Sequence, residues 1–227
     1  MNNRYQRISF VNVSTSSPWE MWYLCTPFLY AFIVSVVSSR EIFISHTVAR
    51  FHNGLLSIFS LGVALTVMYR WWEEQRFPSA CARPSVSWEH LCTVWYLSKI
   101  WEWGDTIILI ARRRPVQRLH YWHHMLTPLL VRLQTVGRDR QTPGWEIATC
   151  LNATVHAWMY LYYLYPAKLR STKRVLTMCQ LGQHIVVLGC LIYAGSTTCD
   201  VDVTYNIAPL VMYSFFAYQF FKLLFPV

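Results

Sequence analysis

Leu119-His120-Tyr121-Trp122-His123-His124-Met125-Leu126-Thr127-Pro128-Leu129-Leu130-Val131 sets three imidazoles into an apolar run. Positions i, i+3 and i+4 share one helical face, so His120, His123 and His124 point the same way from a helix. Imidazole is costly to bury without a task, and near pH 7 it can act as base, nucleophile or neutral metal ligand. The segment reads as a hydrophobic helix and a reactive one at once. The rest of the chain decides what surrounds it.

Of the 227 residues, 54% are hydrophobic, 16% aromatic and only 14% charged. A soluble domain of this length would need more charge to cover its surface. Apolar runs near the roughly 17 to 25 residues that cross a bilayer as helix fall at 24–39, 54–70, 91–111, 119–136, 145–165, 175–194 and 207–225. The expected fold class is therefore all-α, a polytopic membrane protein with seven transmembrane helices. Lipid cannot satisfy polar groups within the spans, so these should face the interior and carry the function.

The connecting segments test this through the excess of Lys and Arg on the cytoplasmic side. With the N-terminus outside the cytoplasm, one side collects Arg40, Arg50, Arg112, Arg113, Arg114, Arg118, Lys168, Arg170, Lys173, Arg174 and Lys222 against the single acid Glu41. On the other side basic and acidic residues cancel. An odd number of spans follows, with the C-terminus inside. The net charge of +9 thus belongs to helix ends, which removes the reason to invoke nucleic acid. A basic rim of this kind would attract a polyanionic ligand such as a nucleotide-bearing thioester.

Residues 1–23 lack the apolar core and cleavage site of a signal peptide, so the first span should serve as its own uncleaved signal. No linker, repeat or low-complexity tract divides the chain, and 1–227 reads as a single domain. Of seven cysteines, Cys81 and Cys199 fall in non-cytoplasmic loops, where an oxidising lumen permits a bridge. Cys81–Cys199 is the expected pairing, with Cys92 the alternative partner and unpaired thiols the other reading.

Polar residues interrupt the spans in blocks. Lys99, Glu102 and Asp105 follow one another at i, i+3 in the third span and can neutralise each other on one face. The fourth span carries the histidines, entered from the Arg112, Arg113, Arg114 and Arg118 side. In the fifth, Asn152, His156, Met159, Tyr160 and Tyr163 form one stripe. Gln180 and Gln183 pair at i, i+3 in the sixth, as amides that bridge helices or hold a carbonyl do.

Together these blocks resemble the ELO family of very-long-chain fatty acid elongases. The matches are KxxExxDT at 99–106, HxxHH at 120–124, NxxVHxxMYxYY at 152–163 and TxxQxxQ at 177–183. The resemblance implies a 3-ketoacyl-CoA synthase, an acyltransferase of the endoplasmic reticulum membrane. It would condense a long-chain acyl-CoA with malonyl-CoA, releasing CO2 and CoA, with no cofactor. Spans two to seven would form a helical barrel around an acyl tunnel open to the cytosol. The aromatic after His120 is similar to the saturated and monounsaturated branch. His184 departs from the pattern, since such proteins commonly carry an aromatic there. Ketoacyl reductase, dehydratase and enoyl reductase of the elongation cycle, and a second copy of the chain, are the partners left open beside the bilayer.

Imidazole attack on a thioester gives an acyl-imidazole and splits one hard step into two. His123 is the expected nucleophile, with His156 its partner across the helix interface and His120 and His124 orienting it or moving protons. Asn152, Gln180 and Gln183 would hold the thioester or enolate oxygen. Asp105 and Glu102 would fix tautomers or balance Lys99, and Tyr160 would line the substrate site. Arg112, Arg113, Arg114 and Lys173 would bind the CoA phosphates. The rival is a His-ligated, metal-dependent membrane oxidase or hydroxylase. Two-iron sites of that kind draw on several His-rich boxes, whereas His46 and His52 read as loop residues and His90 lies on the far side. A seven-helix transporter or receptor fits the gross topology but not the clustered histidines.

Overall fold

The computed structural model describes residues 18–75, 78–81, 88–135, 144–196, 199 and 203–225. The reading of the N-terminal segment and the loop charges at 4, 7, 76, 83, 138–140, 200 and 202 lie outside the described residues. Within them all regular structure is helical. The helices are α1 Thr26–Ser38, α2 His46–Glu73, α3 Glu89–Trp101, α4 Trp103–Ala111, α5 Arg118–Thr135, α6 Trp145–Leu164, α7 Lys173–Ser196 and α8 Val203–Leu224. Short 3-10 turns, Pro18–Cys25 and Arg170–Thr172, precede α1 and α7.

Two boundaries differ from the hydropathy reading, each for a local reason. α2 begins at His46 rather than near residue 54, because Ser45 caps it by accepting from the Val48 amide at 3.3 Å. His46 and His52, expected in a loop, therefore stand on a helix. The run 91–111 is not one rod but two, joined at Glu102. There the Asp105 amide bonds the Glu102 carbonyl at 3.0 Å, an i to i+3 closure that tightens the turn.

α2 packs along α6, α6 against α7, α7 against α8, α8 against α5, and α5 against α3 and α1. Val63 and Ala64 of α2 close the circuit by clustering with Trp95 and Tyr96 of α3, Val131 of α5 and Ala153 of α6. A second cluster sits nearer one end around Val67, Trp88, Cys92 and Trp145. Gly144, at φ 73°, lets the chain enter α6 while passing α7, for a Cβ there would stand 3.0 Å from the Cβ of Cys190.

The outside of this bundle is apolar. Phe28, Phe32, Phe51, Ile58 and Trp72 are each at least two-thirds exposed, an arrangement suited to lipid rather than water. His46–Glu73, Arg170–Ser196 and Asn206–Leu224 are long and apolar enough to cross a membrane, and Trp22–Ser38 is a shorter apolar helix. The protein is a multi-pass membrane protein.

The bundle has two distinct ends. At one, Arg112, just after α4, reaches His46 at the start of α2 at 2.9 Å, and Arg50 lies over the Tyr165 ring after α6. At the other, Cys81, after α2, is bonded to Cys199, after α7, with Cα atoms 5.5 Å apart. The expected Cys81–Cys199 pairing is present, and Cys92 is packed in the core instead.

Candidate active site

A cavity of about 960 Å³ opens between α2, α4, α5, α6, α7 and α8 at the arginine-rich end. All four candidate histidines, His120, His123, His124 and His156, line it, with Asp105, Gln180 and Gln183. Their ring centroids are 4.2 Å apart for His120 and His124, 5.5 Å for His123 and His124, and 6.3 Å for His123 and His156. The HxxHH face thus meets the α6 histidine across one helix interface. His123 also lines a smaller chamber of about 30 Å³ deeper in the bundle.

The histidines are held by a layer of buried polar groups behind them. Lys99 lies fully inside, and each of its three ammonium donors has somewhere to go. It donates to Glu102 Oε1 at 2.6 Å and to Asn152 Oδ1 at 3.2 Å, and its ammonium sits 3.7 Å from the centre of the Trp95 ring. A buried ion pair is tolerated only with such additional partners. Glu102 Oε1 lies 3.5 Å from His156 Nδ1, and His156 lines the cavity. Asn152 in turn donates from Nδ2 to Gln183 Oε1 at 3.4 Å. Lys99, Glu102, Asn152 and Gln183 therefore position one another, and Asn152 borders the deeper chamber rather than the large cavity.

Asp105 does not join this pair. The tightened turn at Glu102 separates it from Lys99, and it accepts from Tyr160 Oη at 2.7 Å and from His52 Nε2 at 2.8 Å. Its Oδ2 stands 3.9 Å from His124 Nε2. Three residues in one charge triad were expected; the structure has two separate clusters, Lys99 with Glu102 and Asp105 with Tyr160 and His52. His120 Nε2 is 2.9 Å from the Thr106 hydroxyl, which is 2.9 Å from that of Tyr30.

Pro128 explains how α5 presents its histidines. Proline has no amide hydrogen, so the carbonyl four residues earlier, that of His124, loses its helical donor. Trp103 Nε1 of α4 donates to that oxygen at 2.9 Å. The Thr127 hydroxyl donates to the His123 carbonyl one turn below.

At the mouth, Arg112, Arg114 and Lys173 border the cavity, joined by Arg170 and Arg174. Arg113 does not: its side chain is 87% exposed and stands 3.5 Å from Glu41. Tyr160 is wholly buried and acts on Asp105 rather than bordering the cavity. Sequence reasoning missed His52, whose only available signal was an imidazole beside Asn53 at the polar start of an otherwise apolar run. Among the described residues no three His, Cys, Asp or Glu side chains gather as a metal-binding group.

The fold and the site define a multi-pass membrane protein with a histidine-walled cavity behind a cationic mouth. The chain belongs to the ELO: GNS1/SUR4 family, whose model matches residues 13–226. It is 30% identical over 207 residues to very long chain fatty acid elongase 4 of Trypanosoma cruzi, covering 82% of this chain and 70% of that protein. It is 28% identical over 193 residues to very long chain fatty acid elongase 6 of Drosophila melanogaster, covering 75% and 60%. With long chain fatty acid elongase 1 of Caenorhabditis elegans it shares 34% identity over 120 residues, 46% of this chain and 39% of that one. The chain thus spans less than two thirds of the fly and nematode proteins.

Proposed function

We propose that the protein is a fatty acid elongase, a 3-ketoacyl-CoA synthase that works through an acyl-histidine intermediate. The observation that carries this is His123, which faces both the large cavity with its cationic mouth and the deeper chamber. A thioester entering with its phosphates at the mouth brings its carbonyl to that imidazole. Attack by the ring nitrogen breaks the C–S bond, and CoA leaves as thiolate, taking up the proton that the imidazole gives up. Malonyl-CoA then loses CO2, and its carbanion equivalent attacks the acyl carbon. The C–N bond breaks, 3-ketoacyl-CoA forms, and the imidazole is reprotonated. His156, with the Glu102 carboxylate 3.5 Å from its Nδ1, would move these protons. Gln180 and Gln183 offer amides to the developing oxyanion. No cofactor enters this scheme.

In this reading seven spans cross the endoplasmic reticulum membrane, α3 and α4 counting as one, with α2 to α8 as the barrel. The cationic mouth faces the cytosol, the N-terminus and the disulfide the lumen. The β-keto product calls for a ketoacyl reductase, a dehydratase and an enoyl reductase as neighbours.

Purified protein given acyl-CoA alone should gain the mass of one acyl group, and with malonyl-CoA should release 3-ketoacyl-CoA and CO2 in equal amounts. His123→Ala should lose both adduct and turnover. Activity lost to a chelator and restored by iron or zinc would overturn the scheme in favour of metal chemistry.

A further inference from the structure

The chamber beyond His123 is small, about 30 Å³, yet its wall includes Gln134, His184 and Tyr213. Its polar atoms are not all matched. Both ring nitrogens of His184 and Nε2 of Gln134 are buried with no hydrogen-bond partner among the described residues. His184 is 2% exposed and Gln134 5%. The His184 ring is wedged among those of Tyr213, Phe216 and Phe220, with centroids 5.6, 5.9 and 5.3 Å away. These rings fix its plane and offer it no partner. Tyr213 Oη donates to Gln134 Oε1 at 3.2 Å, so the amide oxygen is used and its NH2 is not.

Buried donors and acceptors left in this state are heavily penalised, and a hydrocarbon chain does nothing for them. A hydroxyl does. Neutral imidazole has one N–H and one bare nitrogen, the amide NH2 only donates, and a hydroxyl both gives and receives. The space matches one water-sized group rather than a chain.

We propose that this chamber is a hydroxyl-recognition subsite, so that the protein's acyl substrates carry a hydroxyl that enters it and bonds His184 and Gln134. The inference rests on the acyl-transfer reading and names its substrate class. Phe216 lies 5.1 Å from His123 and 5.9 Å from His184, so those rings are no further apart than the sum, about 11 Å. The hydroxyl therefore belongs in the thioester half of a long chain, not at its methyl end. A ketone at the same carbon would accept from Gln134 but give nothing to the bare imidazole nitrogen.

The test compares octadecanoyl-CoA with hydroxyoctadecanoyl-CoAs whose hydroxyl moves stepwise along the thioester half, and with the matching ketones. Each is supplied with malonyl-CoA to the purified protein and to His184→Phe. At one position the hydroxyl should raise kcat/KM roughly ten- to hundredfold over the unsubstituted chain. The ketone should fall between, and His184→Phe should bring the ratio toward one. If His184→Phe does not fold, Gln134→Met supplies the same comparison. A ratio near one at every position, or one indifferent to the substitution, overturns the subsite and leaves the elongase reading standing. If no chain is condensed the elongase reading falls, and acyl-CoA binding to the same protein decides. Tighter binding of a hydroxylated chain, lost in His184→Phe, sustains the subsite, and equal binding overturns it.

Discussion

At Gly104 a single methyl group would disturb the site from behind. A Cβ there would stand 2.6 Å from His52 Cε1 and 3.3 Å from both ring nitrogens. The ring cannot turn aside freely, because its Nε2 bonds Asp105, whose other oxygen is held by Tyr160. Gly104→Ala should displace His52, loosen Asp105 and with it the seat of His124. Misplacing a catalytic group by an ångström costs up to about a hundredfold in rate, so kcat should fall at least tenfold while KM for acyl-CoA changes little. An unchanged kcat would show that His52 only fills space. The residues of this site that the sequence reveals are those that stand out against an apolar run: His120, His123, His124, Lys99, Glu102, His156. His52 escapes such a reading because Arg50 and Asn53 surround it with other polar side chains, and burial there depends on α4 passing close by.

The α4–α5 contact depends on a donor that replaces one missing from the backbone. Pro128 leaves the His124 carbonyl without a helical partner, and the Trp103 indole N–H satisfies it. Trp103→Phe keeps most of the buried ring and removes the N–H. An unpaired buried acceptor costs about 1–3 kcal/mol, so the variant should melt at lower temperature in detergent. Pro128→Ala in that background returns an amide hydrogen and should recover part of the loss; an unaltered melting midpoint in Trp103→Phe would mean that the carbonyl has another donor. Hydropathy located each helix because apolar length is what the bilayer selects. It misjudged the start of α2, where Ala49 and Asn53 border the polar cavity and so do not look like a span. The joint at Glu102 rests on one i to i+3 hydrogen bond, and no apolar pattern encodes that.

Across the whole molecule the charge asymmetry of the sequence becomes a difference between two ends. Arg112, Arg114, Arg170, Lys173 and Arg174 border the cavity mouth, whereas Arg113 turns outward to Glu41. Neutralising Arg112, Arg114 or Lys173 should raise KM for acyl-CoA and weaken its dependence on salt, and Arg113→Ala should alter neither. An unchanged KM in all four variants would mean that the charges serve topology alone. The opposite end carries a covalent tie. α2 and α7 both begin at the mouth, so Cys81 and Cys199, each past the far end of one of them, lie away from it. Their bond spans 118 residues of sequence and ties the segment before α3 to the one before α8, with α3 to α7 between. Constraining so long a loop in the unfolded chain stabilises the fold by about 2 to 4 kcal/mol. The double variant Cys81→Ser, Cys199→Ser should therefore melt earlier than the wild type, and reductant should reproduce that shift in the wild type but not in the variant. KM for acyl-CoA should stay constant, because the bond is remote from the cationic mouth. Non-reducing peptide mapping should recover the 81–199 link; a Cys92–Cys199 peptide, or equal melting with and without the two cysteines, would refute the role given to it here.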